Sequence, residues 1–293
     1  MFNGVGVICF AGSYLLAFAL EIVRFFWKNR VLRFASLLLF LAGLIAHSAY
    51  LFHHFLLKDD RLVSSAGGWF FVLAWGLVIL DLSLFLFYPK TQFSLFLLPF
   101  VFLAILAGVA LAKTEFPADS AGQAVATIHG IALLLTTFLS LFGFITGAMF
   151  FLQRAKMRKR GGFLTKIPLP SLEWLQKTNR FAALGTLLFL GIGILNGFYL
   201  RFLTASLETN RIPVTDLMVV GALFLFLLLF ALLWLDARKD QNESGGRIAF
   251  LSILCFLILA GILSFGILSP RAHWVWNPPT ENSSTLDGKG GRP

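Results

Sequence analysis

Two histidines, His129 and His273, are the residues of this chain whose chemistry is easiest to interpret, and they are 144 positions apart. His129 lies near the start of one apolar stretch, and His273 follows the end of another. Neutral imidazole is a common axial ligand of haem iron. If both histidines lie at the same face of a membrane, they could ligate one haem from its two sides. The first hypothesis is therefore a bis-histidine haem site, which the surrounding elements must position. The alternatives are that His129 only hydrogen-bonds a neighbouring helix and that His273 belongs to an interfacial belt with Trp274 and Trp276.

The composition predicts a membrane protein. Hydrophobic residues make up 58% of the chain, charged residues 13%, and the mean hydropathy is +0.84, so a soluble globule could not cover this apolar surface. Eight apolar stretches reach the roughly 20 residues that a membrane-spanning helix needs. They are continuous runs without the alternation of barrel strands, which predicts an all-α polytopic bundle of eight transmembrane helices. The stretches lie at approximately 3–23, 31–57, 67–88, 93–112, 122–152, 181–203, 214–235 and 247–268.

Basic residues predict the orientation of the helices. The connections after the first, third, fifth and seventh stretches hold 16 of the 24 Lys and Arg residues. By the positive-inside rule, both termini lie outside, and so do the helix ends near His129 and His273. The expected location is the cell's inner (cytoplasmic) membrane, with multiple passes. Because this loop bias explains the net charge of +10, the charge does not indicate nucleic-acid binding.

We expect one bundle over residues 1–276 and a disordered outer tail over 277–293, since the tail is rich in Pro, Gly and small polar residues. The only long connection, 153–180, lies on the inner side. Its segment LPSLEWLQKTNR predicts a short interfacial helix with its Trp at headgroup depth.

Other residues carry less specific signals. Asp81 lies inside an apolar stretch, where a carboxylate is costly, and either a structural pair or a functional relay explains it. His47 is expected to make a structural hydrogen bond, and His53 and His54 to be interfacial polar residues. The two cysteines form no C-x-x-C pair, and no Walker loop, G-x-G-x-x-G fingerprint or H-E-x-x-H motif occurs.

The stretch IPLPSLEWLQKTNRFAALGTLLFLGIGILNGFY, from Ile167 to Tyr199, resembles the cytochrome c assembly family. That family includes CcsA-type and CcmC-type haem-handling proteins and the eight-helix HemX-like members, which this chain resembles most. The helix with His129 resembles the family helix that carries one outer haem-ligating histidine, and the last helix places His273 on the second. The resemblance covers roughly residues 67–275. It implies a non-covalent b-type haem held by His129 and His273.

Two departures from the family pattern limit this expectation. The family's haem-synthase members have a Trp-rich outer loop before the seventh helix, whereas this chain has no Trp there. At the inner end of the seventh helix, Asp236 stands near the position of a second intramembrane haem ligand. We therefore expect at most one haem. The resemblance implies an outer-face group around it that comprises Asp216, in place of the motif's Asp, and the propionate-binding candidates Arg201, Arg211 and Arg271.

The function that follows from the resemblance is binding or presenting haem at the outer membrane face for c-type cytochrome biogenesis. Its expected partners are maturation membrane proteins of the CcsB/ResB-like kind and apocytochrome c, and autonomous enzymatic activity is not expected. Two alternatives stay open. One is a HemX-like regulatory or scaffolding protein that influences haem biosynthesis, with the basic 153–180 connection as its docking surface. The other is a small-molecule transporter component, indicated by Asp81 and His47.

Overall fold

The computed structural model describes residues 6–27, 29–56, 65–112, 123–158, 167–204, 217–238 and 244–268. The regular elements in these ranges are eight α-helices, so the all-α prediction is confirmed. In chain order they are α1 (Val7–Phe26), α2 (Arg30–Leu56), α3 (Ala66–Phe87), α4 (Ser94–Ala110), α5 (Gln123–Arg158), α6 (Leu172–Thr204), α7 (Leu217–Ala237) and α8 (Ser244–Leu268). The predicted tail over 277–293 lies outside the described residues.

Seven of these helices are long and apolar enough to cross a membrane, and α4, with 17 residues, is the shorter apolar one. At about 1.5 Å per residue, α4 covers slightly less than the roughly 30 Å of a hydrocarbon core. The chain is a multi-pass membrane protein. Many large apolar side chains accordingly face outward from the bundle, for example Ile8, Leu195 and Phe224.

The prediction of a separate interfacial helix in the 153–180 connection is wrong. Helix α6 begins at Leu172 and continues without interruption to Thr204. The Ser171 hydroxyl accepts the backbone N–H of Trp174 at 3.3 Å, and the Ser171 carbonyl accepts that of Leu175. Ser171 therefore caps the helix. Because neither Pro nor Gly occurs between this cap and Gly185, the amphipathic first turns run directly into the apolar part of α6.

The helices pack as two groups of four. Helix α1 packs on α2 and α4, and α3 packs on α4 and α2, which makes one half. In the other half, α5 packs on α6 and α8, and α7 packs on α8 and α6. A contact between α3 and α5 joins the halves. A large apolar core extends through α1–α5 and includes Leu175 and Ala182 of α6 and Ala249 of α8, and a smaller one lies among α6, α7 and α8.

Glycines set the closest helix contacts. A Cβ atom at Gly147 of α5 would lie 2.8 Å from the Ala249 carbonyl oxygen of α8, and one at Gly67 of α3 would lie 2.5 Å from the Gly108 carbonyl oxygen of α4. Small residues allow such approaches between membrane helices. Gly67 is near the start of α3 and Gly108 near the end of α4, so these two antiparallel helices lie against each other along nearly their whole lengths.

Candidate functional site

His129 lies on α5, six residues after the helix begins at Gln123. Its Nδ1 is 2.8 Å from the carbonyl oxygen of Gly193 on α6. A carbonyl oxygen can only accept a hydrogen bond, so Nδ1 carries the proton and donates it. In the neutral imidazole the lone pair is then on Nε2. One backbone group of α6 thus determines the tautomer and the orientation of the ring.

The sequence of α6 makes this contact possible. A Cβ at Gly197 would lie 3.1 Å from Cε1 of His129, so the half-buried ring rests directly on the α6 backbone. On the neighbouring residue of α5, a Cβ at Gly130 would lie 2.6 Å from Cζ2 of Trp69. The indole of Trp69 on α3 therefore packs on α5 at the residue that follows His129. The glycines of α6 and the two tryptophans of α3 act as packing residues, and Trp75 donates a hydrogen bond to Ser48 at 2.9 Å.

A histidine held through Nδ1–H by a carbonyl is the usual arrangement of a metal-ligating imidazole. The observed bond is the one that a structural role of His129 against a neighbouring helix predicts, and an axial ligand would use the same bond. The predicted partner His273 lies outside the described residues, as do Asp216, Arg211 and Arg271. Arg201 lies in the last turn of α6, and only its backbone is described. The structure consequently gives the local setting of His129 alone.

The histidines of α2 lie elsewhere. His53 and His54 are in its last turn, where the His54 ring is 4.4 Å from the Tyr50 ring. His47 is fully buried in the α1–α4 half and stacks parallel to Phe10 at 4.1 Å between ring centroids. The Tyr14 hydroxyl lies 3.4 Å from its Nδ1. These contacts agree with a structural role for His47.

A buried polar group, which we call the Asp81 cluster, consists of Glu21, Arg24, Asp81 and Ser94. Nη2 of Arg24 is 2.7 Å from Oε2 of Glu21, one turn away on α1. Asp81 on α3 accepts a hydrogen bond from the Ser94 hydroxyl at 2.8 Å. Arg24 also lies 4.9 Å from the centre of the Phe85 ring, one turn along α3 from Asp81. An unpaired buried charge costs on the order of several kcal/mol, so these contacts are needed.

The sequence indicates only part of this cluster. Asp81 stands out in the sequence as a carboxylate in an apolar stretch. Arg24 is counted there only among the basic residues of the first connection, and no role is predicted for Glu21. A signal for the pair exists, because Glu21 and Arg24 have i,i+3 spacing inside an apolar helix.

A second ion pair joins the end of α7 to the start of α8. Oδ1 of Asp236 is 3.7 Å from Nη2 of Arg247, and Asp236 is the more buried of the two. Asp236 therefore has a structural partner at the position where the resemblance would place a second intramembrane haem ligand.

Within the ranges given for the eight helices and their flanks, no group of three or more His, Cys, Asp or Glu residues could hold a metal ion. No protein-family model matches the sequence, and no curated protein or solved structure matches it significantly. Fold and composition define the class as a multi-pass α-helical membrane protein.

Proposed function

We propose that this chain is an eight-helix protein of the cytoplasmic membrane that binds or presents haem at the outer face for c-type cytochrome biogenesis. The observation that carries the proposal is the hydrogen bond from His129 Nδ1 to the Gly193 carbonyl, which fixes the tautomer in which Nε2 is the unprotonated nitrogen. The resemblance of residues 167–199 to the cytochrome c assembly family supports the same function. HemX-like members are the branch that the chain resembles most.

The proposal includes eight crossings with both termini outside. Helix α4 is short, but its contact with α3 supports a full crossing, because the Gly67–Gly108 approach is at one end of the pair. At the other end, Phe93 precedes α4 and packs on Tyr88, which follows α3. An even number of crossings and the basic connections then put both termini on the outer side.

Labelling of single cysteines tests this topology. In a background with Cys9 and Cys255 replaced by Ser, we expect the Thr280→Cys variant to react with a membrane-impermeant maleimide in intact cells. Lys177→Cys, on an exposed part of α6, is the control for the inner side and should react only after permeabilisation. Protection of the Thr280→Cys thiol in intact cells would contradict both the orientation and the paired-histidine site.

The proposed site consists of two axial ligands and a set of candidate partners for the haem propionates. His129 holds one axial position, oriented by Gly193, and His273 is the second axial ligand. Arg201, Arg211 and Arg271 are the candidates for pairing with the propionates, and Asp216 lies in the same outer connection. The haem would supply the iron porphyrin that is later attached to the apocytochrome. Attachment itself belongs to maturation proteins of the CcsB/ResB-like kind, so this chain is not expected to be an autonomous enzyme.

Complementation tests the function. In cells without their own copy of the gene, we expect c-type cytochromes to lose covalent haem, as measured by in-gel haem staining, while total haem stays unchanged. Wild-type protein should restore the staining, and His129→Ala should not. His53→Ala, a histidine of α2, is the matched control and should restore it. Full restoration by His129→Ala would contradict the proposal.

A regulatory or scaffolding role is the second candidate, and one observation favours it. The inner ends of three helices are held firmly together, since Lys156 Nζ donates to the Ile167 carbonyl at 2.8 Å and Trp174 Nε1 donates to the Tyr88 hydroxyl at 2.9 Å. Such a surface could dock a cytosolic enzyme of haem biosynthesis. In that case, deletion of the gene should change total haem, and His129→Ala should behave as wild type.

A further inference from the structure

The Asp81 cluster does not belong to the proposed haem site, because it lies in the other half of the bundle. It occupies the end at which α1 and α3 terminate and α4 begins. Glu21 and Asp81 have no solvent exposure, and Arg24 is only 7% exposed. An ionisable residue inside a membrane bundle indicates a functional site by default, because its burial is costly. The question is which of the two carboxyl groups is charged.

The contacts of the two acids differ. Glu21 has a cation directly beside it, since Arg24 is 2.7 Å away. Asp81 has only the neutral Ser94 hydroxyl, which donates to Oδ1. Its buried Oδ2 and both carboxylate oxygens of Glu21 have no hydrogen-bond partner among the described residues, so the ion pair with Arg24 is what distinguishes the two acids. One arginine in direct contact with one carboxylate makes a neutral pair. A second charged carboxylate in the same place would lack such a partner.

The neighbouring polar groups include a second cation, Arg33, and the buried Ser36, whose hydroxyl lies beside Glu21. From α2, Arg33 donates to the Phe85 carbonyl at 3.4 Å and lies 5.4 Å from the centre of the Phe85 ring. Like Arg24, it is therefore held one helical turn along α3 from Asp81. From α4, Ser94 is the contact already described, and it begins that helix. From α5, the side chain that packs on the same helix at Gly76 is the apolar Phe138. The positive end of α4 favours a charged Asp81, but such helix-end effects are smaller than the cost of burying a charge.

We propose that Asp81 is a proton-binding site, neutral in this structure, and that it shares Arg24 as a counter-ion with Glu21. Binding places a proton on Oδ2, the oxygen without a donor. Release sends the proton to water at this end of the bundle and leaves a carboxylate, toward which Arg24 can turn from Glu21. Because Glu21 and Arg24 are on α1 and Asp81 is on α3, the exchange links proton release to the contact between these helices.

Infrared spectroscopy of the purified full-length protein in detergent tests the proposal, since protonated and ionised carboxyl groups absorb at different frequencies. At neutral pH, we expect the wild-type protein to show the band of a buried protonated carboxyl group. Asp81→Asn, which keeps the acceptor for Ser94, should lose the band. Glu173→Gln, which changes an exposed carboxylate of α6, should keep it.

Arg24→Gln provides a second test with the opposite sign. Without its cation, Glu21 should also take up a proton, and the band should become about twice as strong. Arg24→Lys keeps the positive charge and should leave the band as in the wild type, which separates loss of charge from loss of fold. A wild-type protein without the band, or a band that persists in Asp81→Asn, would overturn the proposal. Stabilisation by sodium ions in a protein that lacks the band would overturn it in favour of a metal-cation site.

Discussion

The two halves of the bundle bury different kinds of polar side chain. Within the described residues, every buried ionisable group apart from a cysteine thiol is in α1–α4, namely Tyr14, Glu21, Arg24, His47 and Asp81. In α5–α8 the buried polar side chains are neutral hydroxyls and one amide. They are Thr136, Ser140, Thr146, Asn179, Thr186 and Ser252.

The neutral groups of α5–α8 are satisfied mainly within their own helices. Thr136 donates to the Ala132 carbonyl, and Thr186 and Ser252 likewise donate to the residue four positions earlier. This half is therefore held by close packing through glycine, and it provides a rigid support for His129. The α1–α4 half also packs through glycine, at Gly67 and Gly108, and in addition it buries the Glu21–Arg24 ion pair. A single substitution should thus act by different mechanisms in the two halves.

The largest effect on stability is expected in the half with buried charges. Arg24→Ala removes the cation beside Glu21, and breaking a buried pair costs about 3–5 kcal/mol. Unfolding followed by circular dichroism in detergent measures this loss. Lys177→Ala is the control, because its pair with Glu173 is exposed and should contribute less than about 1 kcal/mol. Equal, small losses for the two variants would mean that the buried Glu21–Arg24 pair contributes no more to stability than the exposed pair.

A smaller effect is expected at the glycine contacts of the other half. Gly147→Ala would place a Cβ 2.8 Å from the Ala249 carbonyl oxygen, and the resulting separation of α5 from α8 should cost about 1–3 kcal/mol. Gly261→Ala on α8 is the control, since nothing lies within 4 Å of its added Cβ. That variant should be neutral or more stable, by up to about 1 kcal/mol. If both variants have the same stability in this unfolding assay, the close contact at Gly147 does not contribute to the stability of the bundle.

The smallest effect is expected for a neutral hydrogen bond between helices. Thr146 Oγ1 of α5 lies 3.0 Å from Oδ1 of Asn179 on α6. Thr146→Val keeps the shape and should cost about 0.6 kcal/mol, a typical value for such bonds in membranes. Thr137→Val is matched to it, because both hydroxyls lie 2.9 Å from a carbonyl of their own helix, Thr146 from Phe142 and Thr137 from Leu133, and Thr146 in addition contacts Asn179 on α6. A loss of several kcal/mol at Thr146 would show that this half also depends on polar contacts.

The class of fold was predictable because the length of an apolar run determines whether a helix can cross a membrane. The start of α6 was not predictable in the same way, since its first turns are amphipathic and the sequence resembles an interfacial helix until Phe181. The cap at Ser171 marks the start of α6, but this is recognisable only once the helix is seen to continue unbroken to Thr204.

The candidate site was predictable only in part. His129 could be identified by its residue type and its place near a helix end. Its bond to Gly193 joins residues 64 positions apart and depends on how α5 and α6 rotate against each other, which periodicity does not determine. For the same reason, the i,i+3 spacing of Glu21 and Arg24 is visible in the sequence, but their meeting with Asp81 is not.

The central claim is that the Nε2 lone pair of His129 ligates haem, and an absorbance titration of the purified protein with haem tests it most directly. We predict that wild-type protein binds one equivalent with the spectrum of a low-spin, bis-imidazole haem. His129→Ala should lose that spectrum and bind haem at least about tenfold more weakly, while Gly12→Ala, a change at an open position of α1, should match the wild type. A wild-type protein that takes up no haem, or a His129→Ala variant with an unchanged spectrum and affinity, would contradict the account.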